Sequence, residues 1–589
     1  MAYTGRWIHI DLNSGDFFVE ETDRSLLDRY IGGKGLGFAL LEKLAPAPDP
    51  LGPDNPLIFV NGPFTGTPVQ TSARTCLVTR SPLTGSIQDS HCGGHFGPRL
   101  KAAGYDYLLI TGRSERPVYI LLTDSKVEIR DAGDLWGKGT FEVNDTLLRR
   151  HPGRNPRVAC IGPAGENLSR IACICTDKWR QYGRGGVGAV MGSKRLKAVV
   201  LDGEQPVRYH DRERFIRLNR ELTRDVMAHE GVRFRRKKGT MKCIRSGQEY
   251  EFLPTRNWRE VVFEDFEGIS SETFRKELDW KDVGCYGCGI QCSKLARWDG
   301  YELEGPEYET AAFLGSGCEV GDARDVALAN WICDDLGMDT ISAGGTCGFA
   351  MECYEKGLLD DWEGLDLRWG NAGAQRELLR KMAGRKGVGD IFADGTRKAA
   401  EKIGKGSRDF AVNIFGMELS GVNPKGCLTM GVVLSVADFA SHTRLWLTEQ
   451  EAGPDFKLED IPRAVADGLD DINARNSLII CDFVPFGLDR LAPILNAMTG
   501  FDHTPESLLH LGTRLTHLAR RYNLRNGRTH EDDTLPERFF QEESLAGFMR
   551  GRKIDRSFFQ SIIQKYYNIR GWTDRGEPTP DVLGRYELD

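Results

Sequence analysis

The chain has no apolar run approaching the roughly 18 to 20 residues that a membrane-spanning helix needs, so no membrane association is expected. It also lacks an excess of basic charge. With 78 Lys and Arg against 85 Asp and Glu the formal net charge is −7, and the basic footprint of a nucleic-acid binder is missing. The first residues, Met1-Ala2-Tyr3-Thr4-Gly5-Arg6, carry no apolar signal segment, and a cytoplasmic protein is expected. Internal repeats and low-complexity linkers are absent as well. Cysteine, by contrast, is plentiful. Fifteen residues, an odd number without an export signal, argue against a disulfide framework and for thiols or metal ligands.

At about 150 residues per domain, 589 residues allow three or four domains and a core able to enclose a bulky cofactor. Short apolar or alternating runs bounded by Gly, Pro, Asn and Asp read as strands: 7–12, 57–60, 108–110, 118–122 and 198–201. From about residue 208 the texture becomes helical and charged, in runs such as 211–230, 323–336, 347–357 and 374–382. It continues to about residue 566, and a polar tail follows Trp572. The expected class is α+β: a β-rich domain over 1–207 forming a base, then two mostly helical domains over 208–410 and 411–589.

The strongest local signal is Gly284-Cys285-Tyr286-Gly287-Cys288-Gly289-Ile290-Gln291-Cys292. Three thiolates spaced C-x2-C-x3-C in a glycine-bearing loop can wrap one soft metal centre. A [4Fe–4S] cluster needs a fourth, distant ligand. Zinc usually takes two separated cysteine pairs, and no second pair of that kind exists here. The spacing favours an iron–sulfur cluster over zinc or buried structural thiols. It does not choose the fourth ligand among Cys481, Cys318 and Cys427.

Three glycine-rich segments precede this loop: Gly32–Gly37, Cys92–Gly97 and Gly183–Gly188. The third matches G-x-G-x-x-G, but polar residues 177–182 stand where a dinucleotide site has a core strand. Dinucleotide binding is thereby the least favoured of three readings, and the other two are these. The glycines make tight turns, or bare backbone N–H groups with Arg184, Lys194 and Arg195 cradle the phosphates of another cofactor. After the cysteines come Glu302, Glu304, Glu307 and Glu309, just before an apolar helix. Glu307 and Glu309 are first-turn carboxylates favoured by the helix dipole, or one of the four is a general base beside a redox centre. His442, alone in Ala440-Ser441-His442-Thr443-Arg444, is by local sequence more readily a structural residue than a catalytic one.

Taken in order, these segments resemble the tungsten-dependent aldehyde:ferredoxin oxidoreductase family. Gly183–Lys197 (GRGGVGAVMGSKRLK) is the most specific. Thr71–Arg74, Ser81–Gly85, Gly97-Pro98, Glu304–Thr310 (EGPEYET) and Asp334–Ser342 also match, across nearly the whole chain. The resemblance implies tungsten, or molybdenum, held by two pyranopterins, one [4Fe–4S] cluster, and Mg²⁺ bridging the pterin phosphates. It implies Cys285, Cys288, Cys292 and Cys481 as cluster ligands, with Arg74 between cluster and pterin. Asp334, Asp339 and Thr340 belong to one pterin segment and Asn476–Cys481 to the other. His91, Gly93, Gly94, Arg184, Gly185, Gly186 and Gly188 would line the cofactor, and Glu309 and His442 would flank the metal. Departures from the family pattern include His91 where Asn is common, Asn476 where Asp is favoured, and Asn423-Pro424-Lys425 for D-P-R. The Arg-Gly usual before His442 is also missing. These leave the substrate open.

The activity implied is oxidation of an aldehyde to a carboxylic acid, with electrons passing to ferredoxin or an iron–sulfur subunit. An alternative within the same resemblance is the active-site subunit of a benzoyl-CoA-type reductase, where Cys318 would ligate tungsten. Another substrate of the family is a further possibility. A second alternative, from a different class, is a cluster-bearing electron-transfer subunit without pterin chemistry. A homodimer or hetero-oligomer is expected.

Overall fold

The computed structural model describes residues 2–441, 444–547 and 549–588. Twelve strands fill the first 201 residues. β1 (Arg6–Asp11), β2 (Phe17–Glu21), β3 (Leu57–Val60), β4 (Thr75–Arg80), β5 (Ile87–Cys92) and β6 (Tyr107–Thr111) form one sheet in the order β2-β1-β6-β3-β4-β5. β7 (Val118–Leu122), β8 (Val127–Asp131), β9 (Arg157–Cys160), β10 (Ile174–Thr176), β11 (Arg180–Tyr182) and β12 (Leu196–Leu201) form the second, β11-β10-β9-β12-β7-β8. All five runs read as strands from the sequence fall on these elements.

The sheets share one core. Ile8, Phe59 and Leu108 of the first meet Ile120, Val199 and Leu201 of the second, all fully buried. Alternation along the strands sends the other face outward. On the first sheet that face carries Ile58, Val60 and Val78, and it is covered by helices distant in sequence: Gly33–Leu44, Leu488–Thr499 and Pro505–Arg525. The C-terminal part therefore closes over the N-terminal sheet.

Helices dominate from residue 212 onward. Ala323–Leu336 coincides with its sequence reading, and Thr340–Glu355 starts seven residues before the run seen at 347–357. Short strands interrupt the helical texture, among them the two-residue pair Asn413–Ile414 and Met417–Glu418. A three-stranded sheet, β13 (Lys281–Val283), β14 (Ser293–Trp298) and β15 (Tyr301–Gly305), frames the cysteine loop. Its strands are short and charged on the exposed face, so no apolar alternation announced them. The polar tail also holds a helix, Pro580–Arg585, capped by Thr579, with Leu588 packed among the helices that cover the first sheet.

Candidate functional site

The cysteine loop joins β13 to β14, and folding brings Cys481 to it. Cys481 follows the helix Ile461–Leu478, and its N–H donates to the Thr71 carbonyl at 3.0 Å. Gln70, one residue before, accepts from the Gly289 N–H at 2.8 Å and donates to the Gly287 carbonyl at 3.3 Å. The turn at 70–71 thus clamps both parts of the thiol set. Cys285, Cys288, Cys292 and Cys481 are half-exposed, whereas the other eleven cysteines are buried. The two rival fourth ligands lie elsewhere. Cys427 hydrogen-bonds Glu451, and Cys318 donates to the Phe313 and Gly344 carbonyls inside the helical core. Burial pushes the Cys318 thiol up to about 12, the behaviour of a packed thiol.

The chemistry of this donor set suits a cubane better than zinc. Tetrahedral zinc with bonds near 2.3 Å would hold its sulfurs about 3.8 Å apart. Among the described residues the only trio of ligand atoms within 4.8 Å of one another is Cys76, Asp89 and His91, so the four thiols are spread more widely than that. Burial pushes Cys292 up to about 12, with Glu307 adding to the rise, and drives Cys481 well above the ordinary thiol range. Such sulfurs ionise readily only against a cation. Two arginines face them. Burial opposes the charge on Arg74, but Cys481, Asp482, Cys285 and Cys292 outweigh it and hold the guanidinium charged. Arg180, on β11, is held charged in the same way by Glu304, Cys285, Glu307 and Cys292, and it pairs with Glu304 at 2.5 Å.

Glu304, on β15, is raised to about 7, chiefly by burial. Ser293 donates to Glu304 at 2.9 Å and to Glu307 at 3.3 Å, so the residue after Cys292 ties both carboxylates to the loop. Glu307 stands at the N-terminal boundary of the helix Tyr308–Leu314 without capping it, its carboxylate accepting instead from the Thr240 hydroxyl, whereas Glu302 is a surface partner of Arg297. Glu309, in the first turn of that helix, is buried and accepts from the Gly421 N–H at 2.8 Å. Tyr308 donates to the Gly421 carbonyl beside it. His442 and Thr443 lie outside the described residues.

Motifs 150 residues apart meet at the segment 171–173. The Gly188 N–H donates to the Ala172 carbonyl, the Asp339 N–H to the Ile171 carbonyl, and the Cys173 N–H to the Gly337 carbonyl. A Cβ on Gly188 would strike the Cys173 carbonyl oxygen, and one on Gly186 (φ +72°) would sit 2.5 Å from the Arg170 carbonyl oxygen. These two glycines serve close packing. Gly185 turns the loop over Gln88. The preceding strand exists, but it is the three-residue edge strand β11, and only a seven-residue helix, Val187–Ser193, follows. Lys194 and Arg195 do not face this loop. Lys194 donates to the Pro53 and Gly112 carbonyls, and Arg195 reaches the Glu115 carbonyl on the exposed side, because both fall after the helix has turned away.

Arg184 alone supplies the expected charge. Its guanidinium donates to Asp339 (3.1 Å), Ser420 (3.1 Å), Ser342 (3.4 Å) and the carbonyls of Glu418 (2.6 Å) and Ala440 (3.2 Å). Asp339 also caps the helix Thr340–Glu355 through the Ile341 N–H, while Thr340 hydrogen-bonds Thr310 at 2.9 Å. Asp334 accepts from Gln181 at 2.8 Å, and burial with nearby Glu304 raises it well above the carboxylate range. A buried acid in the last turn of a helix is placed against the dipole, which points to a binding role rather than a stabilising one.

The opposite wall joins Gly32–Gly35 to Asn476 and Ile479. The Gly33 N–H donates to Asn61, and its Cα approaches the Asn476 carbonyl too closely for a Cβ. Lys34 of this glycine segment also joins a buried charge network that sequence reasoning missed. Asp89 accepts from Arg444 at 2.9 Å and His91 at 2.9 Å, and Lys34 pairs with Asp438 at 2.5 Å and Asp89 at 3.8 Å. Lys34 stood in a glycine segment and Arg444 two residues after His442, but nothing local joined them. Asp89 is already met by two cations, so the trio with Cys76 and His91 is unsuited to a metal ion. Gly93 and Gly94 face the thiols: a Cβ on Gly93 would lie 2.9 Å from the Cys285 sulfur, and the Gly94 carbonyl accepts from the Tyr286 N–H.

Buried polar atoms without a protein partner among the described residues gather around this cradle: Asn61, Gln88 Oε1, His91 Nδ1, Arg444 Nε and Asn476 Nδ2. Such atoms are costly unless a ligand satisfies them. Asn61 Nδ2, Arg444 Nε and Asn476 Nδ2 are donors suited to phosphate or carbonyl oxygens, while Gln88 Oε1 accepts, so a large, polar, phosphate-bearing cofactor fits this mixed set.

Fold and site therefore point to an oxidoreductase with a soft-metal centre beside a buried polar cradle. Comparison with known proteins makes the class specific. Residues 7–203 match the family described as "Aldehyde ferredoxin oxidoreductase, N-terminal domain", and residues 217–588 match "Aldehyde ferredoxin oxidoreductase, domains 2 & 3". The chain belongs to this family of oxidoreductases. It is 37% identical to the tungsten-containing aldehyde ferredoxin oxidoreductase of Pyrococcus furiosus, over 98% of both chains. The corresponding protein of Thermococcus kodakarensis is 36% identical over 97% of this chain and 96% of its own. Among solved structures, the active site complex BamBC of benzoyl coenzyme A reductase with 1,5-dienoyl-CoA matches with a TM-score of 0.87. It has 26% identity and covers 100% of this chain and 97% of that one. Among the described residues no helix is long and apolar enough to cross a membrane.

Proposed function

We propose that this chain oxidises an aldehyde and water to a carboxylic acid, releasing two protons and two electrons, and that the electrons leave one at a time to ferredoxin. The observation that supports it best is the gathering of four half-buried cysteines, three of which (Cys285, Cys292 and Cys481) act on Arg74, near a set of unsatisfied buried polar groups. In this reading Cys285, Cys288, Cys292 and Cys481 hold a [4Fe–4S] cluster. Asp334, Asp339 and Arg184 would hold one pyranopterin, Asn476 would hold the other, and the backbone near His91 would hold a Mg²⁺ that offsets phosphate charge. Bound tungsten or molybdenum supplies the two-electron oxidation of the carbonyl carbon, and the cofactor carries the hard chemistry.

The chain's own residues position and move protons. Glu309, fixed by the Gly421 N–H, is the base that takes a proton from the attacking water. His442 donates a hydrogen bond to the substrate carbonyl. The helix of Glu309 is buried along its whole length, which excludes bulk water from the base. Arg74 and Arg180 offset the negative charge of the cluster and its ligands. The free thiols fit a cytoplasmic, anoxic setting.

The match to the benzoyl-CoA reductase complex supports a second reading, reduction of an aromatic acyl-CoA thioester, although Cys318 hydrogen-bonds within the helical core. Anaerobic purification followed by counting W, Mo, Fe and pterin per chain tests the cofactor set. About one heavy metal, two pterins and four Fe are expected. Four Fe without pterin would leave only the electron-transfer reading. Viologen-linked turnover of aldehydes against aromatic thioesters then separates the two enzyme readings.

A further inference from the structure

Electrons need an exit, and the surface beside the thiol loop carries a charge opposite to that of the chain as a whole. Residues Arg212–Lys238 hold ten basic and four acidic side chains in a protein of net charge −7. They form two consecutive helices, Arg212–Ala228 and Glu230–Lys238. The second ends in Arg235, Arg236, Lys237 and Lys238, with Arg233 a turn earlier. This pair packs directly on the cluster loop. Arg236 donates to the Gly289 carbonyl, and Lys294 donates to the Arg236 carbonyl at 2.9 Å and the Cys292 carbonyl at 3.0 Å. The Arg235 guanidinium lies 3.7 Å over the Phe483 ring, two residues after Cys481. Met227 packs so closely that a Cβ on Gly289 would lie 2.7 Å from its sulfur.

Beside these contacts, Arg217, Arg220, Arg233 and Lys237 are exposed, Arg233 also donating to the Ala228 carbonyl at 2.9 Å. Phe234 is 46% and Ile216 40% exposed, and Tyr286, next to Cys285, is 40% exposed. A face that combines a few exposed apolar side chains with an excess of cations, on helices packed against the half-buried thiol loop, has the composition of a small transient docking site rather than of a permanent subunit seam.

Building on the function proposed above, we infer that the basic face of the helices Arg212–Ala228 and Glu230–Lys238, around Tyr286, is the docking surface for an acidic one-electron iron–sulfur protein. Phe234 and Ile216 provide the apolar contact, while Arg217, Arg220, Arg233 and Lys237 steer the carrier so that its centre faces the Cys285–Cys292 loop. Steering of this kind raises the association rate and weakens with salt.

The test uses holoenzyme carrying R233E and K237E together, two exposed side chains that make no contact with the thiol loop. K126E, at the β7–β8 turn on the sheet edge opposite β11, is the control. Dithionite-reduced enzyme is mixed with an oxidised acidic ferredoxin by stopped flow across a range of ionic strength, which requires no substrate. At low salt the bimolecular rate constant should fall about tenfold in the double variant, with a flatter salt dependence. The K126E control should behave as wild type, and iron content and electron transfer to a neutral viologen should be unchanged. An R233K/K237R variant should restore the rate. Equal rates and salt slopes for R233E/K237E and wild type would overturn the proposal. So would a stoichiometric iron–sulfur subunit that stays on this face through purification and blocks the carrier. Absent aldehyde turnover with normal, salt-dependent transfer to ferredoxin would instead reject the substrate reading and leave the docking surface standing.

Discussion

Arg74 offers a direct measure of how the protein tunes its electron path. Its guanidinium faces Cys481, Cys285 and Cys292, with the Asp482 carboxylate 3.5 Å away. Adding an electron to a cluster held by these sulfurs adds negative charge near a fixed cation, so Arg74 favours the reduced form. A unit charge about 7 Å from the centre, at an effective dielectric near 20, is worth about 2 kcal/mol, or about 100 mV for a one-electron couple. The side chain is 24% exposed and Asp482 offsets part of its field, so about half of that survives screening. Arg74→Gln should therefore lower the cluster potential by about 50 mV, with unchanged iron content, in an anaerobic redox titration followed by EPR. Arg74→Lys should recover most of the shift. A potential that stays put, or rises, in Arg74→Gln would refute the placement of this cation against the cluster.

Other outcomes follow from the same geometry. Glu309→Gln should reduce aldehyde turnover by about 100-fold or more while metal and pterin stay bound, measured as viologen-linked kcat; full activity would remove Glu309 from the proton path. Asn476→Ala should lower pterin and tungsten per chain while iron is retained, since Nδ2 is a buried donor with no protein partner; an unchanged W-to-Fe ratio would count against that assignment. Gly188→Ala should fail to yield folded protein, because its Cβ would collide with the Cys173 carbonyl; normal expression and circular dichroism would contradict the packing. His517 is held neutral by burial, lowered from 6.5 to about 3, and accepts from the Trp572 indole N–H at 2.9 Å. Between those values the unfolded chain binds the extra proton, so stability should fall by about 1.4 kcal/mol per pH unit on acidification. His517→Asn should flatten that part of the acid-unfolding curve followed by tryptophan fluorescence.

The sequence by itself determined the local pieces. Apolar alternation located strands such as 118–122, helical periodicity located 323–336, and C-x2-C-x3-C marked a soft-metal loop, because each depends on residues a few positions apart. It also yielded the family resemblance, because several motifs recur in one order. Tertiary structure decided what lies far apart in the chain. Only packing sets Cys481 beside the thiol loop while Cys318 and Cys427 go into helical contacts. Only packing directs Lys194 and Arg195 away from the glycine loop and joins Lys34, Asp89, Asp438 and Arg444 into one buried network. It likewise frames the loop with strands β13–β15, whose charged faces hid their period. The physical reason is that turns and periodicities are fixed by neighbouring dihedrals and side chains. Which buried charge meets which partner is instead settled when sheets and helices close over a common core and every desolvated group must find its counterpart.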